Sequence, residues 1–189
     1  MTPQGAGYQP SEQMNFEEGD IIAVSEKGIK HGIDRILQRT EWHHVFLYIG
    51  NGMALDASPM AGCHTFKINL THEKYNAYRV LRHATLAIAE RKKLVKKAVS
   101  TFLGQKFSFS QVYRIIISRI ILADAKNSPD TSYKCDTRRL ICSNMISMAY
   151  HLAGHPLKIQ HKPEYTMPED YGGELQGFKL VVEHRFSRR

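Results

Sequence analysis

The chain predicts an α+β domain in which a small, mostly antiparallel sheet packs against three helices. Three observations carry this. Short β-branched and aromatic runs mix with longer stretches of 3.6-residue periodicity, without the regular alternation of a doubly wound sheet. Asn51-Gly52 separates two such runs and signals a hairpin. With 189 residues and 42% hydrophobic side chains, there is material for one well-formed core and not for two domains.

The elements follow in chain order. "FEEGDIIAVSEKG" (16–28) combines a turn at Glu18-Gly19-Asp20 with a strand at 21–24. Over 29–40, Ile29, Ile33, Ile36 and Leu37 recur near the helical period. "EWHHVFLYIGNGMALDASP" (41–59) then reads as a strand, the Asn51-Gly52 turn and a second strand through Ala57, and "YNAYRVLRH" as a strand at 78–81. From 85 to 103, Leu86, Ala89, Leu94, Ala98 and Phe102 line one side of a helix that Gly104 can stop. A more apolar helix is expected at 112–123, a loop at 124–132, and a third helix within "RLICSNMISMAYHLAG" that ends at Gly154. "GFKLVVEH" offers a last strand.

Residues 1–15 have neither the basic start nor the apolar centre of a signal peptide and read as a flexible lead-in. The single domain is expected over 16–185. The longest apolar stretch, 115–123, is interrupted by Ser118 and Arg119, so no membrane-spanning helix is expected. Three cysteines (Cys63, Cys135 and Cys142) do not make a disulfide scaffold. A free thiol in a reducing compartment is the simpler reading, hence a cytoplasmic protein, with delivery as a secreted effector left open.

A net charge of +8 suggests an anionic partner. No zinc-finger spacing, RNA-binding signature or helix-turn-helix accompanies it, so no specific nucleic-acid motif is present. The basic cluster at 91–97 reads as a solvated helix face, with an anionic membrane surface as the sharper alternative. No motif sets an oligomeric state.

Two segments can carry chemistry. In "CSNMISMAYHLAG", Met145, Met148, Ala149 and Leu152 recur at helical spacing and place Cys142 and Ser143 in the first turn. The unpaired N–H groups there stabilise a thiolate and can hold a developing oxyanion. Standing alone, Cys142 reads as core, because cysteine is often buried. A helix-start thiol needs a base, however, and a strand histidine backed by an acid would supply one. Of two adjacent histidines, His43 and His44, one must point each way.

Hairpin geometry chooses between them. A plain two-residue turn at Asn51-Gly52, pairing Gly50 with Met53, would set Asp56 on the opposite face from His44. It would also leave His43 roughly 13 Å from that carboxylate along the strand. A three-residue loop over 50–52, with Gly52 left-handed, instead sets Asp56 against Phe46 and makes His44 its diagonal neighbour. The expectation is therefore an odd loop and a His44–Asp56 pair.

"GDII", "HVFLYIGNGMALDA", "YRVLR", "LGQKFSFSQ", "CSNMISMAYHLAG" and "YTMPEDY" occur in an order that resembles the circularly permuted NlpC-type papain-like proteins. This branch includes the YiiX- and YaeF-like proteins, a poxvirus relative and, more distantly, the lecithin:retinol acyltransferase family. As in that branch, the histidine strand precedes the cysteine helix. The resemblance covers about residues 16–154 and implies the permuted papain-like fold. It implies Cys142 as nucleophile, His44 as base and Asp56 as the third residue, where relatives carry Glu or His. The implied activity is that of a cysteine hydrolase or acyltransferase, working through a thioester on a peptide or isopeptide amide or a lipid ester, with no cofactor and no metal.

Other readings stand beside this one. A zinc site from His43, His44, Cys63, His64 and His72 fits no compact ligand pattern. Cys63 and His64 follow a glycine in an expected surface loop. Cys135 is incidental or a disulfide partner of Cys142. Ser143 is an N-cap or first-turn residue, and His151 and His155 are partners of the helix C-terminus. The rival from another class is a non-catalytic module of the same fold that binds an anionic partner through its basic surface.

Overall fold

The computed structural model describes residues 15–28, 41–120, 137, 140–159 and 163–187. The helical tendency at 29–40, the loop at 124–132, Cys135 and nearly all of the lead-in lie outside these residues.

Six apolar or aromatic runs pair into one antiparallel sheet: β1 Ile21–Glu26, β2 His44–Gly50, β3 Met53–Ser58, β4 Gly62–Lys67, β5 Tyr75–His83 and β6 Phe178–Arg185, in the order β4-β3-β2-β1-β5-β6. The unbroken apolar run of β1 has its reason in this placement. Ile21 and Ala23 pack with Val45, Leu47 and Leu81 on one face, and Ile22 and Val24 with Phe46, Tyr78 and Val80 on the other. β4 corrects the expected surface loop at Cys63 and His64. Its alternation of buried and exposed residues is short and has only one large apolar residue, Phe66, to announce it.

Three α-helices accompany the sheet among the described residues, α1 Ile88–Phe102, α2 Phe109–Ile120 and α3 Cys142–Leu152, with two short 3-10 turns at Pro163–Tyr165 and Pro168–Tyr171. The chain is thus α+β. In α1, Leu94, Ala98 and Phe102 face the core as the periodicity required, and Val95 joins them. Ala89 is exposed, however, and Arg91 is buried in its stead. The cluster at 91–97 is therefore not one solvated face: Lys92, Lys93, Lys96 and Lys97 are exposed, whereas Arg91 belongs to the interior. Helix α2 begins three residues earlier than its apolar run, and residues 121–123 lie outside the described part.

Every residue of α3 from Cys142 to Tyr150 is buried. A helix covered all round is a central one; α3 lies against β2, β3, α1 and the short turn Pro163–Tyr165. It ends in a Schellman arrangement, with the Gly154 N–H on the His151 carbonyl and the His155 N–H on the Tyr150 carbonyl. Gly154, at φ 85°, supplies the left-handed residue. The His155 side chain reaches towards Glu90 of α1, 3.9 Å away, rather than back to the helix end.

A buried ion cluster joins these layers. Arg82 of β5 binds both carboxylate oxygens of Asp20 at 2.8 Å and also contacts Glu17. Arg91 of α1 lies 3.1 Å from Glu17 and donates to the Leu86 and His83 carbonyls. Tyr150 of α3 donates to the Gly19 carbonyl at 2.6 Å. The "EEGD" turn, read only as a turn, is where β1, β5, α1 and α3 are held together.

Candidate functional site

The site begins at the β2–β3 hairpin, whose loop differs from the expected one. Asn51 (φ 53°) and Gly52 (φ 71°) form a two-residue turn, and Gly50 does pair with Met53. Register then shifts between Tyr48 and Gly50, so that Tyr48 faces Ala54 and Leu47 faces Leu55. Ile49 is the extra residue of a β-bulge, which restores the odd offset one step below the turn. Continued by one residue, this register sets Phe46 against Asp56. The expected face was right, and the device that produces it was misplaced by one residue.

On that face His44 Nε2 lies 2.7 Å from Asp56 Oδ1. Asp56 is buried, and among the described residues its Oδ1 has no partner apart from this imidazole. The Cys142 thiol forms a hydrogen bond with the same ring; with Nε2 taken by Asp56, Nδ1 is the nitrogen left for sulfur. Burial by itself depresses the His44 pKa. The charges and hydrogen bonds of Cys142 and Asp56 outweigh it and hold the imidazole well above its ordinary 6.5. The three residues expected to act together are therefore brought together, from the first residue of β2, the middle of β3 and the first residue of α3.

The start of α3 is built to present its amides. Ile141 is the N-cap in extended conformation, and its N–H donates to Asn144 Oδ1 at 2.8 Å. The first-turn amides that follow, including that of Cys142, have no intrahelical acceptor. Ser143 is a first-turn residue and not the cap. Its hydroxyl donates to the Thr166 carbonyl at 2.6 Å, and Tyr171 donates to the Ser143 carbonyl at 2.8 Å. Burial, then the neighbouring charges of Asp170 and Cys142, push the Tyr171 phenol far up. The "YTMPEDY" segment is thereby clamped to the nucleophile helix. Sequence reasoning marked this segment by resemblance alone and missed the roles of Thr166, Tyr171 and Asn144.

The remaining candidates fall away from this geometry. His43 donates its main-chain N–H to the Val24 carbonyl, and it is not among the groups acting on His44. Cys63 is buried, with Sγ 3.3 Å from Met145 Sδ, so its expected surface role is wrong. Burial, with the Asp56 charge beside it, pushes this thiol up to about 12 and leaves it inert at neutral pH. His64 stands opposite Asp56 in β4, with its Nδ1 3.1 Å from the Gly62 carbonyl. Among the described residues no group of three or more His, Cys, Asp or Glu side chains is placed to hold a metal ion. No helix among them is long and apolar enough to cross a membrane. Compared with known proteins, the chain matches no family model and no curated sequence.

Proposed function

We propose that this protein is a cysteine-dependent acyl hydrolase or acyltransferase with a permuted papain-like, NlpC-type fold. The observation that supports this is the His44 imidazole held between the Asp56 carboxylate at 2.7 Å and a thiol on the first residue of a buried helix. Strand histidine before helix cysteine is also the order of the permuted branch.

In this reading His44 takes the proton of Cys142, and the thiolate attacks the carbonyl carbon of an amide or ester. The tetrahedral oxyanion develops against the Cys142 amide and its first-turn neighbours. The C–N or C–O bond then breaks as His44 passes its proton to the departing amine or alcohol, leaving a thioester. Water or a second nucleophile, deprotonated by His44, attacks that thioester, releases the acyl group and returns the thiol. Asp56 keeps the proton on Nε2 and stabilises the imidazolium.

The experiment is a panel of peptide amides, phospholipids and acyl thioesters offered to wild type and to Cys142→Ala, together with iodoacetamide labelling mapped by mass spectrometry. Turnover that vanishes in Cys142→Ala, with fast labelling of Cys142, supports the proposal. If Cys142 labels no faster than Cys63 and Cys135 and nothing is turned over, the protein is a binding module of this shape.

A further inference from the structure

Large apolar side chains are exposed at one corner of the molecule. Met60, at the tip of the β3–β4 turn, is fully exposed, and Leu103, Phe109 and Tyr113 are half exposed or more. The segments that carry them adjoin. The linker after α1 runs along β4, with the Cys63 N–H on the Gln105 carbonyl and the Gly104 N–H on the Cys63 carbonyl. The base of the Met60 turn is pressed so closely onto this linker that a Cβ on Gly62 would lie 2.5 Å from the Gln105 carbonyl oxygen. Phe107 and Phe109 are in edge contact at 5.2 Å, and Tyr113 follows one turn along α2. Single exposed apolar residues are ordinary, but a contiguous group marks an interaction surface.

Charge identifies its partner. The segments that build this corner, 57–72 and 91–120, contain no aspartate or glutamate. They carry the exposed Lys67, Lys92, Lys93, Lys96, Lys97 and Lys106. Apolar tips beside these exposed lysines fit the boundary of an anionic bilayer, where the rings and Met60 enter the acyl region and the lysines meet headgroups. Partner proteins with buried apolar interfaces do not require this one-sided charge.

We propose that the Met60 turn, Leu103 and the exposed face of α2 dock the protein on an anionic lipid surface. The inner side of the same platform packs against the segment that leads into α3: Phe107 bridges to Leu140, and Ile115, Phe107 and Val112 pack with Ile141, the neighbour of Cys142. Docking there turns the segment that leads into α3 towards the membrane. On the thiol reading proposed above, the acyl donor is then a membrane lipid.

The test is co-sedimentation of the full chain with vesicles of phosphatidylcholine alone or mixed with phosphatidylserine. Binding to the mixed vesicles is expected, with little to the neutral ones. Met60→Asp/Phe109→Asp and Lys96→Glu/Lys106→Glu should each weaken it by at least about tenfold. Leu180→Asp, the same kind of change on exposed β6, should leave it unaltered, and Cys142→Ala should bind as wild type does, which separates docking from chemistry. No binding to either vesicle, equal binding to both, unchanged binding of the platform variants, equal loss in Leu180→Asp, or a stable dimer that buries Met60 and Phe109 would each overturn the proposal.

Discussion

His44 is the residue on which two charges converge. Because Cys142 and Asp56 raise its folded-state pKa well above 6.5 against the opposing effect of burial, its charged form is favoured in the fold. The stabilisation from this charged form is full below the unfolded value of about 6.5 and is lost as pH rises through the raised folded value. The difference in Tm between wild type and Asp56→Asn should therefore be widest near about pH 6 and narrow at alkaline pH. A gap that widens with pH would show that the imidazole is not held charged by this carboxylate. In kinetics, His44→Ala should lower turnover by about 10³-fold and Asp56→Asn by about 10²-fold. His43→Ala should leave kcat/KM within about threefold of wild type, because a side chain away from the reacting groups contributes no transition-state contact. Iodoacetamide labelling of Cys142 should move to higher pH in His44→Ala, while Cys63 stays unlabelled in every variant. Equal losses in the two histidine variants would mean that the wrong ring has been assigned. That His44 and Asp56 share a face and that Cys142 opens a helix was legible in the sequence, because side-chain alternation and a helix N-terminus are local facts. The clamp from Thr166 and Tyr171 was not, since a hydroxyl bonded to a distant carbonyl leaves no periodic mark.

Among the elements, the β2–β3 hairpin shows how far local chemistry can be read. Asn51-Gly52 announced the turn, and the requirement that His44 and Asp56 share a face announced an odd offset. Where the extra residue sits depends on the pairing of the strands below, which turn residues do not encode. The bulge imposes φ 96° on Gly50, and a Cβ there would lie 2.9 Å from Glu18 Oε1. Gly50→Ala should therefore cost about 1–2 kcal/mol, from left-handed strain and from displacing that carboxylate. Gly52→Ala, with φ 71° but open space around the Cβ, should cost only about 1 kcal/mol. Urea unfolding of the two variants measures the order, and a larger loss at Gly52 would place the constraint in the turn. Strand β4 escaped notice for a related reason: "GCHTFK" gains its strand character from β3 on one side and the 104–105 linker on the other.

The assembly of the whole molecule was legible in class only. Mixed strands and helices implied α+β packing, but nothing local states that β1 stands between β2 and β5, or that α3 is the covered helix. That order rests on contacts between residues far apart in sequence, with the Asp20 cluster as its polar centre. Asp20 is fully buried and takes both nitrogen contacts of Arg82 at 2.8 Å, which raise the guanidinium pKa further above its ordinary value. Removing one member strands the other. In Arg82→Met, the Asp20 carboxylate keeps the Glu17 main-chain N–H at 2.8 Å, but its nearest remaining cation is Arg91, 3.7 Å away and shared with Glu17, so the expected loss is about 3 kcal/mol. For a chain of this size that is a fall in Tm of about 6–12 °C. Asp20→Asn/Arg82→Met removes the stranded charge and should recover part of the loss, because a neutral pair has less desolvation to offset. Thermal unfolding of the two variants decides the matter. A double variant less stable than Arg82→Met by the full cost of a second independent loss would mean that the cluster acts through packing alone and not through its charges.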